Sequence, residues 1–548
     1  MTHADVIAAE LARAGVERCY GLPGGEVVAL IEGLRRQGIE FHLVGHEASA
    51  AFMAATEGRI TNRSGVCVTT LGPGAMNLVT GLAHAYLDRE PVVAFSAALA
   101  TTADRAYTHQ RLRLADLMAT ITKHSAVLDG RDTVEQVAAA ITLARAGRPG
   151  PVFLALPSDI ARQDIPATAA APAPAQATGP APQGQAGLER APEQSGPEDI
   201  ERAAGLISAA ARPLVIAGLG ADPRRTGPAL AALVDVGRFP FVTTPKSKGV
   251  VSEDHPRWAG VAGGMAGEAQ MRRLLDDADL LIAVGFDPVE CDSEWFVGRH
   301  TLAIDVPGAS SEGAGGYRPI LSLYGDPAEI LALLARRVGA ASGWDAAVLQ
   351  RHRDAMRGIT GPHRGDTGLS PAEAIGALRD VLPRDGILTC DVGSHKLLLG
   401  QIWKTYEPLT FFMSNGLSSM GFGLPAAAAA QLCFPQRSVC CVLGDGGMLM
   451  TLHMLEYQRR QRLPVVAVVF TDQSLSLIRL AQERRGFRPT GVDFRAPAFA
   501  AVAQGFGIEA RRVASIGELS RAFAAALESR EPWLLDVPVD AREYAAQM

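Results

Sequence analysis

The sequence predicts an α/β protein made of three doubly wound parallel-sheet domains. Its 548 residues are too many for one hydrophobic core. Short apolar runs alternate with Ala- and Leu-rich stretches of helical length, a pattern typical of parallel strands covered by helices on both faces. Residues 166–197 are rich in Ala, Pro, Gly and Gln and predict a linker, and a weaker break at 341–370 predicts a second one. The predicted domains are therefore residues 1–165, 198–340 and 371–548.

The apolar runs place the strands of each domain in order. In the first domain the predicted strands are Phe41–Val44, Gly65–Thr70, Pro91–Ser96 and Pro151–Leu156. In the central domain they are Pro213–Ala217, Leu280–Val284 and Leu302–Ile304. In the third they are Ile387–Asp391, Ser438–Leu443, Pro464–Thr471 and Trp533–Val537. Because open parallel sheets bind ligands beyond the carboxyl ends of their strands, the polar residues that follow each strand are the functional candidates.

Composition argues against several classes of function. The net charge is −6 and no stripe of Lys and Arg occurs, so no nucleic-acid partner is expected. No apolar run is long enough to cross a bilayer, and residues 1–15 do not resemble a signal peptide, so we expect a cytoplasmic protein with no membrane partner. The seven cysteines form no C-x-x-C pair, which indicates small core residues instead of a zinc site or disulfides.

The third domain carries the strongest chemical signal. Its strand Ser438–Leu443 runs into the sequence G-D-G-G-M at residues 444–448, and glycines at a strand-to-helix turn let backbone N–H groups approach a diphosphate. Asp472 ends the next strand, one helix and one strand beyond Asp445. A G-D-G turn alone is explained equally well as a capped tight turn. Two carboxylates at the ends of adjacent strands, however, favour Mg²⁺, which binds carboxylate and phosphate oxygens.

These residues resemble the fingerprint of the thiamine-diphosphate-dependent enzymes, in which G-D-G is followed at the end of the next strand by N-N or N-D. The resemblance extends over nearly the whole chain outside residues 166–197. It implies a pyrimidine-binding first domain, a central domain and a diphosphate-binding third domain. It also implies that Asp445, Asp472 and the Ser474 backbone carbonyl bind Mg²⁺. Here Thr471-Asp472 replaces the Asn-Asn of many members, which keeps oxygen ligands and adds negative charge.

Glu47 follows a predicted strand in the first domain, within the sequence H-E-A-S-A-A. A lone Glu at this position is usually a helix cap or a surface charge, but the resemblance implies the family's activating glutamate. Its carboxylate would share a proton with N1′ of the cofactor's aminopyrimidine, which promotes loss of the thiazolium C2 proton. We therefore expect an apolar pocket around Glu47. His42 and His46 lie too far apart on a strand to be a metal-binding pair.

The resemblance implies further contacts with the cofactor. Met420 would support its bent shape, and the Ser418 carbonyl would hold its 4′-amino group. The residues expected to bind thiamine diphosphate are Gly72, Asn77, Gly393, Ser394, His395, Ser418, Met420, Gly444, Gly446, Gly447 and Met448.

Among family members, the patterns are most similar to those of acetolactate synthases, especially the catabolic, flavin-free type. Gln110, preceded by His109, would lie beside the cofactor and act with Glu47. Ile478 stands where simple decarboxylases have a Glu, which favours carboligation. The predicted reaction is decarboxylation of a 2-oxo acid, with pyruvate first, and addition of the carbanion-enamine to a second carbonyl. The residues expected near the substrate are Pro23, Gly24, Gly25, Lys123, Ile478 and Arg479, although a solvated helix charge explains Arg479 equally well.

Alternatives remain open at this point. The same cofactor would serve a 2-oxo acid decarboxylase, a benzoin-type lyase or an enzyme similar to carboxyethylarginine synthase. A non-catalytic scaffold is a further alternative, as is a nicotinamide-dependent dehydrogenase, although Gly218 and Gly220 lack a complete G-x-G-x-x-G. We expect no FAD in the central domain. The resemblance also implies a homodimer or homotetramer with its active sites at the subunit interface.

Overall fold

The computed structural model describes the chain apart from residues 105, 107, 166–193, 292–294, 296–297, 307–316, 341–342, 364–367 and 548. The chain divides into two compact units. The first contains Met1–Glu189 together with the short segments Ala428–Pro435 and Leu452–Gln461, and the second contains the remainder. One parallel sheet belongs to the first unit and two belong to the second.

The first unit is built on a sheet of six parallel strands. These strands are β1 Arg18–Leu22, β2 Glu40–Leu43, β3 Gly65–Thr69, β4 Val92–Ala98, β5 His124–Val127 and β6 Pro151–Pro157. The helices around them are α1 His3–Arg13, α2 Val28–Arg36, α3 Glu47–Thr61, α4 Pro73–Asn77, α5 Val79–Leu87, α6 Leu114–Met118, α7 Thr133–Arg145 and α8 Ser158–Arg162. The strand order is β2-β1-β3-β4-β6-β5. Because helices cover both faces, every residue of β3 and β6 is buried.

The central sheet also has six parallel strands. They are β7 Pro213–Ala217, β8 Phe241–Thr243, β9 Trp258–Val261, β10 Leu280–Val284, β11 Thr301–Asp305 and β12 Leu321–Tyr324. The accompanying helices are α9 Pro197–Ala209, α10 Thr226–Gly237, α11 Glu268–Asp276, α12 Pro327–Ala335 and α13 Ala346–Thr360. The strand order is β12-β11-β10-β7-β8-β9, so the first strand of the domain lies in the middle of the sheet.

The third sheet contains β13 Ile387–Cys390, β14 Phe411–Met413, β15 Val439–Gly444, β16 Val465–Thr471, β17 Glu509–Arg512 and β18 Trp533–Pro538. The helices of this part of the chain are α14 Pro371–Val381, α15 Ser394–Ile402, α16 Gly423–Cys433, α17 Asp445–Met450, α18 His453–Gln461, α19 Ser476–Arg484, α20 Phe499–Gly505, α21 Ile516–Ser529 and α22 Tyr544–Gln547. The strand order is β14-β13-β15-β16-β18-β17. All seven residues of β16 are buried, because it lies inside the sheet.

The predicted fold class is confirmed: the described residues form three parallel α/β sheets. Each predicted strand is present, with ends within about two residues of the prediction. The strands that were not predicted are β1, β5, β8, β9, β12, β14 and β17. Most of them lie at a sheet edge, and their runs of apolar residues are short or broken.

The segment predicted as a second linker, residues 341–370, contains helix α13, so the linker prediction is wrong for that stretch. Leu349 and Met356 of this helix are buried in the core of the central sheet, beside Trp344. The Trp344 indole N–H donates to the Pro213 carbonyl at 2.7 Å. These widely spaced apolar residues stand among many charged ones, which obscured the helix in the sequence. Residues 166–193 of the first predicted linker lie outside the described part of the chain.

The cysteines behave as small core residues. None of the seven forms a disulfide, and five of them are buried. The buried ones are Cys19, Cys67, Cys390, Cys440 and Cys441. In the part of the chain that the structure describes, none of the helices combines the length and apolar character needed to cross a membrane.

Candidate active site

Two carboxylates lie side by side at the carboxyl edge of the third sheet. Strands β15 and β16 are neighbours, with Gly444 opposite Phe470. Asp445 is the first residue after β15 and Asp472 the first after β16. The backbone binds them together, since Asp445 Oδ2 accepts hydrogen bonds from the amides of Gln473 at 2.7 Å and Asp472 at 3.3 Å. The structure therefore brings the two predicted metal ligands to one point.

The electrostatics of this pair suit a cation. Asp445 is only 2% exposed, and burial together with the neighbouring Asp472 raises its pKa to about 6. Burial also raises the pKa of Asp472, although its Oδ2 accepts a 2.6 Å hydrogen bond from the Ser476 hydroxyl. Among the described residues, no group of three or more His, Cys, Asp or Glu side chains is arranged to hold a metal. Two adjacent carboxylates fit a hard cation that takes its remaining ligands from backbone, water or phosphate oxygens, as Mg²⁺ does.

An open cleft lies next to the two carboxylates. Helix α15 begins at Ser394 and α17 begins at Asp445, so two helix N-termini meet there. The Ser394 hydroxyl and His395 Nε2 are buried without a hydrogen-bond partner in the described structure. Burial lowers the pKa of His395 to about 4, so its ring is neutral near pH 7. Unpartnered polar atoms at helix N-termini fit a phosphate-bearing ligand. The cleft is lined by Val392, Gly393, Ser394, His395, Met420, Gly444, Asp445, Gly446, Gly447, Phe470, Asp472, Ser474, Leu475, Ser476, Leu477, Ile478 and Tyr544.

Asp391 explains why glycine is required within the G-D-G-G turn. A Cβ on Gly447 would lie 2.3 Å from Asp391 Oδ2, so no larger residue fits. Asp391 is fully buried, and burial raises its pKa to about 6. Its Oδ1 accepts hydrogen bonds from the amides of Val392 at 2.8 Å and Gly421 at 2.9 Å. Asp391 therefore packs three loops together at the floor of the cleft.

The loop that carries Ser418 and Met420 is held in an unusual backbone conformation. Ser418 has a φ of 52°, in the left-handed region that few non-glycine residues adopt. Its hydroxyl accepts a 3.0 Å hydrogen bond from Lys396 Nζ and donates a 2.8 Å bond to the Asn415 carbonyl. The side chain of Met420, two residues later, lines the cleft. Such strain is usually found where a loop must present its backbone to a ligand.

The carboxyl edge of the first sheet carries a different group, Glu47. It is the first residue of α3, which His46 caps by accepting a 3.1 Å hydrogen bond from the Ala48 amide. The Glu47 side chain is buried and accepts a 2.9 Å hydrogen bond from the Asn77 amide group of α4. Glu47 is thus a buried carboxylate held in one orientation by a neutral donor.

Other predicted residues of the first domain converge on the same sheet edge. A Cβ on Gly72, whose φ is 61°, would lie 3.0 Å from the Gln110 side chain, so these two residues are in contact. A Cβ on Gly24 would lie 2.3 Å from the Thr70 hydroxyl, which donates to Glu26 at 2.8 Å. The loops after β1 and β3 and the segment that contains Gln110 therefore meet. Their exposed members are Pro23, Gly25 and His109.

Two predicted residues do not lie with the others. The Lys123 ammonium donates to the carbonyls of Leu143 and Ala146, at 2.6 Å each, where α7 ends. Since Lys123 immediately precedes β5, it lies at the amino edge of the sheet, and its placement near the substrate is wrong. Met448 is fully buried and is absent from the lining of the cleft. Its side chain packs in the core.

Ile478 and Arg479 lie near the start of α19. Arg479 forms ion pairs with Asp493 and Glu483, and its Nε donates to the Ser474 hydroxyl at 3.3 Å. The structure therefore favours a role for Arg479 in holding the 473–475 loop. Ile478 lines the cleft and is 49% exposed.

Two residues of the site were missed by the sequence analysis. The Ser476 hydroxyl holds Asp472, and a hydroxyl four residues after a predicted metal ligand is a weak signal that could have been noticed. Tyr544 lines the cleft and is 1% exposed. It comes from α22, near the end of the chain, so no local pattern connects it to the G-D-G turn.

The glycine loop of the central domain is closed by the protein's own carboxylate. Gly218 and Gly220 follow β7, in the middle of the sheet, where a dinucleotide would bind in such a fold. The intervening Leu219 amide donates to Glu290 Oε2 at 2.8 Å, and the Glu290 side chain is buried. A carboxylate at this position repels a phosphate, which disfavours the dehydrogenase alternative.

Comparisons with known proteins give the same family for all three domains of the chain. Residues 391–537 match the family model described as thiamine pyrophosphate enzyme, C-terminal TPP binding domain. Residues 1–120 match the N-terminal TPP binding domain of these enzymes, and residues 200–334 match their central domain. The chain is 31% identical to "Acetolactate synthase, catabolic" of Raoultella terrigena, with 98% of this chain and 95% of that protein covered. It is 30% identical to the acetolactate synthase of Bacillus subtilis (98% and 93% covered) and to the acetolactate synthase isozyme 2 large subunit of Escherichia coli (99% and 96% covered).

Proposed function

Because the chain belongs to the thiamine pyrophosphate (thiamine diphosphate) enzyme family, we propose that it is a Mg²⁺-dependent carboligase of the acetolactate synthase type. It decarboxylates pyruvate and joins the remaining two-carbon unit to a second carbonyl, giving 2-acetolactate when that carbonyl belongs to another pyruvate. The observation that carries the proposal is the close pair of Asp445, which is buried, and Asp472, beside a cleft with two unpartnered polar groups. Similarity to acetolactate synthases over nearly the full length supports the choice of reaction.

The third domain holds the charged end of the cofactor. Asp445, Asp472 and the Ser474 carbonyl supply oxygen ligands to Mg²⁺. The Ser394 hydroxyl and the neutral His395 ring satisfy diphosphate oxygens, together with the amides of the G-D-G-G turn. A bound cation would favour the ionised form of both aspartates and would offset the cost of holding their charges away from water.

Glu47 handles protons. Thiamine diphosphate, when bound, supplies the carbon nucleophile and the electron sink that decarboxylation of a 2-oxo acid requires. The Glu47 carboxyl group takes and returns a proton at N1′ of the aminopyrimidine. Asn77 fixes the direction of that carboxyl group through its 2.9 Å hydrogen bond. Gln110, which lies against Gly72, orients the substrate.

The apolar start of α19 supports carboligation over simple decarboxylation. Leu477 and Ile478 line the cleft where a decarboxylase would need an acid to protonate the two-carbon unit. Neither side chain can donate a proton, so that unit stays available to a second carbonyl. The proposed catalytic assembly is a homodimer or homotetramer, in which the Glu47 edge of one chain works with the diphosphate-binding edge of another.

The proposal is tested by a ¹³C NMR time course with [2-¹³C]pyruvate, Mg²⁺ and thiamine diphosphate. We expect cofactor-dependent loss of pyruvate and appearance of 2-acetolactate labelled at two positions. Acetaldehyde as the main product would mean that the protein is a simple decarboxylase and not a carboligase. Tight binding of the cofactor without loss of pyruvate would reject pyruvate as the donor.

A further inference from the structure

One face of helix α18 is bonded to the segment that carries Glu47. His453, Tyr457 and Arg460 follow one another at i, i+4 and i+7, so they lie on the same side of the helix. We call these three residues the α18 face. Their hydrogen bonds are His453 Nε2 with Ser49 Oγ (3.0 Å), Tyr457 Oη with His42 Nδ1 (2.8 Å) and Arg460 Nη2 with the Leu43 carbonyl (2.6 Å). The contacts run from the end of β2 to the first turn of α3, on both sides of Glu47.

Close packing reinforces these bonds. A Cβ on Gly45 would lie 2.8 Å from the His453 Cβ, so glycine is required where the chain passes the helix. The ring centres of His46 and His453 are 6.3 Å apart. Ser49 is 3% exposed, so its bond to His453 is shielded from water. The path from β2 into α3 therefore has little freedom beside α18.

His453 makes this contact as an uncharged ring. Burial, and then the nearby His46, lower its pKa to about 4. A neutral imidazole can pair with the Ser49 hydroxyl in either direction, according to its tautomer. His453 therefore carries no positive charge at neutral pH, and such a charge would alter the electrostatic field at Glu47.

We propose that the α18 face is a positioning element, which holds the turn from β2 into α3 so that Glu47 keeps its working place. His453 is its principal member, because it contacts both Gly45 and Ser49. The inference rests on the role proposed for Glu47. None of the three side chains needs to touch cofactor or substrate. Displacement of a catalytic group by about 1 Å costs a rate factor of about 100, so a positioning contact can be large in kinetics and small in stability.

The test compares H453A with H453Q, with R459Q as the matched control. Gln can reach the place of Nε2 and restore the bond to Ser49, whereas Arg459 is exposed on the same helix. In H453A we expect faster hydrogen–deuterium exchange at residues 45–53 of the cofactor-free protein, with unchanged exchange at residues 441–450. With cofactor bound and no substrate, exchange of its C2 proton with D₂O should slow about 10- to 100-fold. The exchange rates of H453Q should be within about threefold of the wild-type rates in both measurements. The rates of R459Q should equal those of the wild type.

The first two readouts require no pyruvate, so they remain informative if the proposed reaction is wrong. Turnover is measured in parallel, and kcat should fall in H453A while the KM for substrate changes by less than about twofold. Wild-type C2 exchange in H453A, or a loss that R459Q shares, would overturn the proposal. A lower melting temperature with normal C2 exchange would also overturn it, because it would mean that the α18 face only stabilises the fold.

Discussion

The first and third sheets share a strand order, but their carboxyl edges carry different chemistry. Numbered within each domain, both run second, first, third, fourth, sixth, fifth. Glu47 follows the second strand, at a sheet edge, while Asp445 and Asp472 follow the third and fourth strands, at the centre. The central position brings two carboxylates together, and the edge position leaves one carboxylate with a neutral donor.

The difference shows that the strand order determines where binding sites can form, and that the residues after the strands determine the chemistry of each site. Neighbouring central strands are only about 5 Å apart, so residues that follow them share ligands and repel each other when both are charged. An isolated buried carboxylate at an edge can exchange a proton without such a partner. The comparison therefore predicts that substitutions at the two edges impair the enzyme in different ways.

The largest effect is expected for E47Q. Gln keeps the size of the side chain and can still accept from Asn77, but it cannot exchange the proton. We expect kcat to fall about 10²- to 10⁴-fold, while the Kd for thiamine diphosphate changes by less than about threefold. Steady-state kinetics and calorimetry measure the two quantities. A large loss of cofactor affinity would mean that Glu47 holds the cofactor in place as well as transferring the proton.

D445N should give the opposite result. The substitution removes one of the two charges that face the cation, so Mg²⁺-dependent affinity for thiamine diphosphate should fall about 100-fold or more. D385N is the control, because Asp385 is exposed near the amino end of the same sheet. Calorimetry with Mg²⁺ and with EDTA distinguishes the two variants. Unchanged affinity in D445N would remove Asp445 from the metal site.

A smaller effect is expected from S476A. The Ser476 hydroxyl donates to Asp472 Oδ2 at 2.6 Å, and loss of such a supporting hydrogen bond weakens metal binding about 10-fold. S438A is the matched control, since Ser438 precedes β15, at the opposite edge of the same sheet. The Mg²⁺ concentration that gives half-maximal activity measures the effect. Equal Mg²⁺ concentrations for the two variants would show that Ser476 does not hold Asp472 in place for metal binding.

The last expected effect concerns the free energy of unfolding without cofactor. The pKa of Asp445 is raised from its ordinary 3.8 to about 6, so the folded state holds this proton more tightly than the unfolded state does. The free energy of unfolding should therefore fall as pH rises from about 4 to 6 and stay lower above 6, by at most about 3 kcal/mol. D445N should be more stable than the wild type at pH 7.5, with a difference that shrinks at pH 5. Melting curves measure it, and a difference that stays constant with pH would mean that ionisation of Asp445 is not its cause.

The pattern of apolar runs predicted the inner strands well, because β16 and its neighbours are buried on both faces. It missed β17, whose residues Glu509–Arg512 are mostly exposed at a sheet edge, and it mistook the helix at Ala346–Thr360 for a linker. Such elements are determined by contacts with distant parts of the chain, which a local pattern does not contain.

The candidate site was predictable from the strand pattern at Asp445, which directly follows β15, whereas Glu47, four residues beyond β2, was identified through the family resemblance. Tyr544 was not, because it reaches the cleft from α22. Lys123 was misplaced because a resemblance in sequence did not show that it precedes its strand, where it binds the end of α7.

A mixture of the two inactive variants, E47Q and D445N, tests the division of work between the two edges most directly. If a catalytic site takes Glu47 from one chain and Asp445 from another, each mixed dimer contains one intact site. After subunit exchange at equal amounts, we expect about one quarter of the wild-type activity to return. Failure of the mixture to regain activity, in a preparation shown by native mass spectrometry to contain mixed dimers, would contradict the account.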